Sequence, residues 1–161
     1  MKRSLVVISA LIALASGLLF TASAQDAPTP EQAAAAAADT RQSLFKVLRY
    51  NLGGIAAMAR GAPFDAAVAE RNARRIAAMA PMIPELLAPD TRGFDIETEA
   101  LDKIWEGNLD DIAVKAQALV DAANNFASIA AGGDMAATLG GIRALGGACA
   151  NCHDEYRVDN N

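Results

Sequence analysis

Along most of this chain, apolar side chains return every three or four residues, the spacing that stacks them on one face of an α-helix. Four such stripes can be traced. The first runs Arg41, Phe45, Leu48, Leu52, Ile55, Ala59 and ends at Arg60-Gly61 and Pro63. Ahead of it, Thr29-Pro30-Glu31-Gln32 is a helix opening: Thr29 caps, Pro30 suits the first turn, and Gln32 closes a capping box. Asp65 caps a second helix with the stripe Ala69, Ala73, Ile76, Met79, stopped by Pro81 and Pro84. Pro81 to Thr98, broken by Pro89-Asp90 and Arg92-Gly93, reads as a long connection with at most a short helical turn. The third helix is expected from Thr98 or Asp102, with the stripe Trp105, Leu109, Ile112, Ala116, Leu119, Ala123, Phe126, Ala130. Gly132-Gly133 closes it, and Asp134 caps a fourth helix carrying Met135, Leu139, Ile142, Gly146, Cys149, His153, Tyr156. The pattern predicts an all-α protein, an antiparallel four-helix bundle with short links at Gly61 to Phe64 and at Gly132-Gly133 and one longer crossing.

The N-terminus departs from this pattern. Met1-Lys2-Arg3 is basic, Leu5 to Phe20 is almost wholly apolar, and Ala22-Ser23-Ala24 is a small-residue cleavage site. Residues 1–24 read as a secretory signal peptide rather than a membrane anchor, since the stretch is short for a span and runs straight into the cleavage site. Residues 25–161 then form the mature domain, 137 of the 161 residues, the size of one domain. Without Lys2 and Arg3 the 14 basic residues fall to 12 against 19 acidic ones, a net charge of −7. Nucleic acid and anionic membrane surfaces are poor partners for that balance, and no stable membrane association is expected after cleavage. Ala dominates and Val and Thr are sparse, which favours helix by propensity.

Chemistry concentrates in Cys149-Ala150-Asn151-Cys152-His153. A C-x-x-C-H run reads as covalent attachment of haem c: two thiols one helical turn apart each form a thioether, and the adjacent imidazole ligates the iron. A zinc site would want four ligands, yet the chain holds two Cys and one His. A thioredoxin-like pair belongs beside a βαβ pattern, which is missing from the sequence. A disulfide would close only a tiny loop that a helix already holds. Export suits the haem reading, because c-type haem is attached outside the bacterial cytoplasmic membrane, which makes the expected location periplasmic. Only eight residues follow His153, so any ligand on the far side of the iron must come from upstream. The spacing leaves Met58 and Met79 open for that role.

The segment Gly147 to Arg157 resembles the C-terminal haem helix of cytochrome c′, the class II c-type cytochromes. Thr40 to Phe45, Gly61 to Asp65 and Lys103-Ile104-Trp105 are similar to the same family, in its order. The resemblance implies one covalent haem c per chain in the core of a four-helix bundle, a homodimer, and a five-coordinate iron on His153. Low-spin relatives carry a Met where this chain has Phe45, so Phe45 is expected as an apolar distal wall. Arg41, one turn before it, is expected to reach a haem propionate with Gln42 beside it, and Arg157 to lie over the proximal imidazole.

Three glycine pairs, Gly53-Gly54, Gly140-Gly141 and Gly146-Gly147, fall inside predicted helices at roughly 1 kcal/mol per Gly relative to Ala. Close approach of the haem, most of all at Gly146, or of another helix or subunit, would offset that cost. The function expected from all this is binding of a diatomic gas such as NO or CO, with protection against nitrosative stress. One-electron transfer to a redox partner drawn by the acidic surface is the alternative. Enzymatic turnover of peroxide is not expected, since the one His is already engaged and no distal acid–base group is in sight.

Overall fold

The structure is a computed structural model that describes residues 27–159. The signal-peptide reading of residues 1–24 therefore lies outside the described residues. Four long helices make the bundle: α1 (Pro30–Ala59), α2 (Ala66–Met79), α4 (Leu109–Ala131) and α5 (Met135–Tyr156), with a short α3 (Met82–Leu87) in the crossing. Among the described residues there is no strand beyond a single antiparallel bridge between Ala100 and Arg157. Nor, among them, is any helix long and apolar enough to cross a membrane.

The caps stand where the sequence puts them. Thr29 Oγ1 accepts from Gln32 N at 3.2 Å while Gln32 Oε1 accepts from Thr29 N at 2.9 Å, which gives α1 both halves of a capping box. Asp65 accepts from Val68 N at 2.9 Å and Asp134 from Ala137 N at 2.7 Å. Gly61, at φ 101°, and Gly133, at φ 74°, take the left-handed conformations that let the chain reverse after α1 and α4.

Two boundaries differ from expectation. Pro84 does not end a helix but occupies the third position of α3, where a missing N–H costs nothing because no carbonyl stands four residues behind within the helix. The helix expected from Thr98 or Asp102 begins at Leu109: Asp102–Trp105 forms a 3-10 turn, and Gly107, at φ 88°, breaks the backbone before α4. Trp105 therefore belongs to the crossing, where its indole N–H donates to Leu87 O at 2.8 Å.

Helices α1 and α2, α2 and α4, and α4 and α5 pack as neighbours, while α1 meets α5 only sparsely. Ile55, Ile76, Ile112, Phe126 and Leu145 lie at the centre, each almost wholly buried. Two glycines explain the tight seams. A Cβ on Gly54 would stand 2.9 Å from Asn72 Nδ2 of α2, and one on Gly141 3.2 Å from the Phe126 ring of α4. Close helix packing thus accounts for one glycine in each of two pairs. At Gly146, by contrast, a Cβ would meet nothing within 4 Å.

Candidate functional site

The predicted residues lie on α1 and α5, which meet only sparsely, with Arg41 and Gln42 of α1 bonded to the crossing. At about 100° per residue, the buried line Leu44, Leu48, Ile55 divides α1 into two flanks. Gly54, which packs on α2, lies on one flank; Phe45 and Leu52 lie on the other, away from α2. On α5 the buried line is Thr138, Leu145, Tyr156, with Gly141 on the α4 flank. Leu139, Ile142, Gly146 and His153 occupy the opposite flank, and Cys149 stands between it and the core. This corrects the expected stripes: Phe45, Leu52, Cys149 and His153 are half-buried at a seam, not enclosed in the core, and Met135 and Ala59 are exposed. Each helix has two apolar flanks, and a 3-4 stripe cannot tell which neighbour each one meets.

His153 is half-buried, and burial first, then the charge of Arg157, holds its imidazole below the ordinary pKa. The neutral ring is the ligating form. Its Nδ1 lies 3.4 Å from Arg157 Nη1, and Arg157 Nε stands 3.8 Å from Glu99 Oε2. Burial pushes both Cys149 and Cys152 thiols upward, the opposite of an activated redox pair. Among the described residues, no three His, Cys, Asp or Glu side chains gather as a bare-metal site would need.

Arg41 is 2% exposed. Its Nη2 donates to Thr91 Oγ1 at 2.9 Å and Thr98 Oγ1 at 3.2 Å, and the guanidinium lies 5.3 Å from the centre of the Trp105 ring. Nε and Nη1 are buried with no hydrogen-bond partner, and among the described residues no carboxylate lies within ion-pair distance. Burial lowers the pKa of this cation. Gln42 is engaged with the crossing, its amide donating to Glu97 O at 2.9 Å.

Other groups with a part here carry no motif signal. Tyr156 is buried and donates to Asp111 Oδ2 at 2.6 Å; Lys115 bridges Glu155 at 3.1 Å and Asn151 Oδ1 at 3.4 Å, inside the C-x-x-C-H run. These bonds tie the end of α5 to α4. The Asp111 bond first, then burial, raises Tyr156 from 10.0 to about 12. The folded chain thus holds the phenolic proton more tightly than the unfolded one, so this contribution is complete below pH 10 and is lost as pH rises toward 12. Tyr156→Phe is expected to lower the urea midpoint at pH 8, and its gap to the parent should narrow between pH 10 and 12.

The residues fit a planar, carboxylate-bearing haem. α5 offers an imidazole on one flank, Cys149 beside the buried line and Cys152 one turn on toward α4; Gly146 leaves the His153 flank open two turns before it; and the buried cation of α1 lacks an anion. Met58 and Met79 stand elsewhere. Met58 is about 25 Å along α1 from Arg41, and Met79 ends α2, which packs on α1 and α4 rather than α5.

Residues 36–157 match the family model for cytochrome c′. Cytochrome c-554 of Cereibacter sphaeroides is 38% identical over 120 residues, covering 73% of this chain and 77% of that one. A solved cytochrome c′ with ligand-controlled dimer dissociation superposes with a TM-score of 0.68 at 31% identity, covering 78% of this chain and 97% of its own. A carbon-monoxide-bound variant of cytochrome c′ from Alcaligenes xylosoxidans gives a TM-score of 0.64 at 25% identity, covering 76% and 94%.

Proposed function

This chain belongs to the cytochrome c′ family, whose cofactor is covalently attached haem c, and from that premise we propose a five-coordinate haem protein that binds diatomic gas such as CO or NO. The observation that supports the reading is Phe45, half-buried against the core on the flank of α1 away from α2, with Leu52 on the same flank. Neither side chain ligates iron or donates a hydrogen bond. When bound, the haem supplies an iron with one face open to a small ligand.

The chain's own residues then have separate tasks. Cys149 and Cys152 form the thioethers and fix the register of the group on α5. His153 offers a neutral nitrogen, with Arg157 against its Nδ1 tempering its basicity. Arg41 gives its two free donors to a propionate, held in place by Thr91 and Thr98. Phe45 admits small ligands by size alone and gives bound dioxygen no hydrogen bond, which favours CO and NO. The carbon-monoxide complex of a variant of the Alcaligenes xylosoxidans relative supports this class of ligand. A peroxidase would need a distal acid–base group, and the α1 flank presents Phe45 and Leu52 instead.

A cleaved leader at residues 1–24, a periplasmic location and a role against nitrosative stress complete the proposal. A homodimer belongs to it too, supported by the dimeric relative. The attachment chemistry is tested by Cys149→Ser with Cys152→Ser. Mass spectrometry of the denatured parent is expected to show the chain plus one haem; the double variant should lose that mass entirely. Retention of the haem mass by the variant would overturn the assignment.

A further inference from the structure

Helix α4 carries a single basic residue, Lys115, and the fold brings it to the attachment turn of α5. Its side chain is only 10% exposed, yet the ammonium meets three oxygens: Glu155 Oε1 at 3.1 Å, Asn151 Oδ1 at 3.4 Å and Asp111 Oδ2 at 3.5 Å. At about 100° per residue, Asn151, Glu155 and Cys152 share one arc of α5, so a group that touches the first two stands on the flank of the second thiol. The Cys152 thiol accordingly feels burial first and the charge of Lys115 next, ahead of Asp111. The bond to Glu155 outweighs burial and raises the pKa of Lys115, which stays a cation. Lys103, from the 3-10 turn before α4, reaches the other Glu155 oxygen at 3.3 Å and lies 5.2 Å from the centre of the Tyr156 ring. Two cations and two carboxylates thus balance beside Cys152.

We propose that Lys115 raises the reduction potential of the group attached at Cys152 and so holds the iron toward the ferrous state that binds CO, a role that rests on the haem reading of Cys149, Cys152 and His153. Reduction by one electron removes one positive charge from the iron–porphyrin unit. A fixed cation beside that unit therefore disfavours the ferric form, and a fixed carboxylate favours it. Such an interaction is strong where the charge is shielded from water and weak where water and salt screen it. Lys103, Asp111 and Glu155 are 48%, 43% and 42% exposed, so Lys115 is the least screened of the four. Without Lys115 the balance becomes one net negative charge, Asp111 and Glu155 against Lys103. A Lys115 that only ties α5 to α4 would behave differently: loosening the helix moves the potential without regard to the sign of the charge removed.

The test is an anaerobic redox titration of the mature holoprotein, with dithionite as reductant and the optical spectrum as readout. Lys115→Met is expected to move the ferric-to-ferrous ratio at fixed potential about tenfold toward ferric, a fall of about 59 mV for one electron. Glu155→Gln removes a negative charge from the same cluster and is expected to move the ratio the other way. Lys115→Arg keeps the cation and should stay within about twofold of the parent. So should Arg60→Gln, which makes the same change of charge on an exposed residue at the far end of α1 from Arg41. Shifts of one sign in Lys115→Met and Glu155→Gln, ratios within about twofold of the parent in both, or an equal fall in Arg60→Gln overturn the proposal. If Lys115→Met yields no holoprotein, the sign of Glu155→Gln decides alone: a rise in potential supports the proposal, and no rise overturns it. A parent without covalent haem mass overturns the haem reading and this inference together, whereas a haem-loaded parent with unmoved variants overturns this inference alone.

Discussion

Phe45→Met is expected to turn a high-spin, gas-accessible protein into a low-spin one. The position is half-buried against the core on the flank of α1 away from α2, so a thioether there stays inside the bundle instead of in solvent. Met is close to Phe in volume and flexible enough to reach a ligand site without disturbing Leu44 or Leu48. If the open form falls to about 1% of molecules, CO affinity drops about a hundredfold, because only the open fraction binds. The change is read from the ferric spectrum and a CO titration. A high-spin spectrum with unchanged CO affinity would mean that Phe45 is not the distal wall.

Arg41→Met should separate haem-bound from haem-free protein more sharply than any other substitution. Without an anion beside it, Arg41 would be a buried cation with two unpaired donors, and replacing such a group by an apolar one of similar volume is often neutral or stabilising. Thr91 loses its donor, while Thr98 Oγ1 keeps its bond from Ala100 N at 3.2 Å. The net change in that state is expected to be within about 1.5 kcal/mol, the scale of one ordinary hydrogen bond. With haem bound, the same substitution leaves a propionate unpaired in a buried place, at a cost of about 3–5 kcal/mol. Urea denaturation of both forms of parent and variant measures the difference. Equal losses in the two forms would show that Arg41 serves the crossing segment and no anion.

The bundle was legible because its signals are local. Thr29, Asp65 and Asp134 announce their helices by chemistry that acts within three residues, and Gly61 and Gly133 mark reversals that need positive φ. The start of α4 was not legible: Trp105 continues the 3-4 stripe of Ile112 and Ala116, and nothing in that spacing shows Gly107 breaking the backbone between them. The C-x-x-C-H run identifies its chemistry from five consecutive residues, yet the partners around it come from a distance. Thr91 and Thr98 reach Arg41 from the crossing, and Lys115 and Asp111 reach the end of α5 from α4. Asn51 sits on the buried line of α1 at helical spacing, where a stripe drawn through apolar residues alone passes it over. Gly146 shows the same limit from the other side: its place in the run suggested close approach, but only the packing distinguishes it from Gly141, whose neighbour is the Phe126 ring.

The central claim is an iron held by His153 with an open face beneath Phe45. Optical spectra of the periplasmically expressed holoprotein, ferric and dithionite-reduced, before and after CO, test it most directly. The account predicts the broad bands of a high-spin c-type haem and a clear shift of the reduced spectrum on CO addition. A sharp low-spin α band that ignores CO would contradict it and turn the reading toward one-electron transfer through a six-coordinate haem.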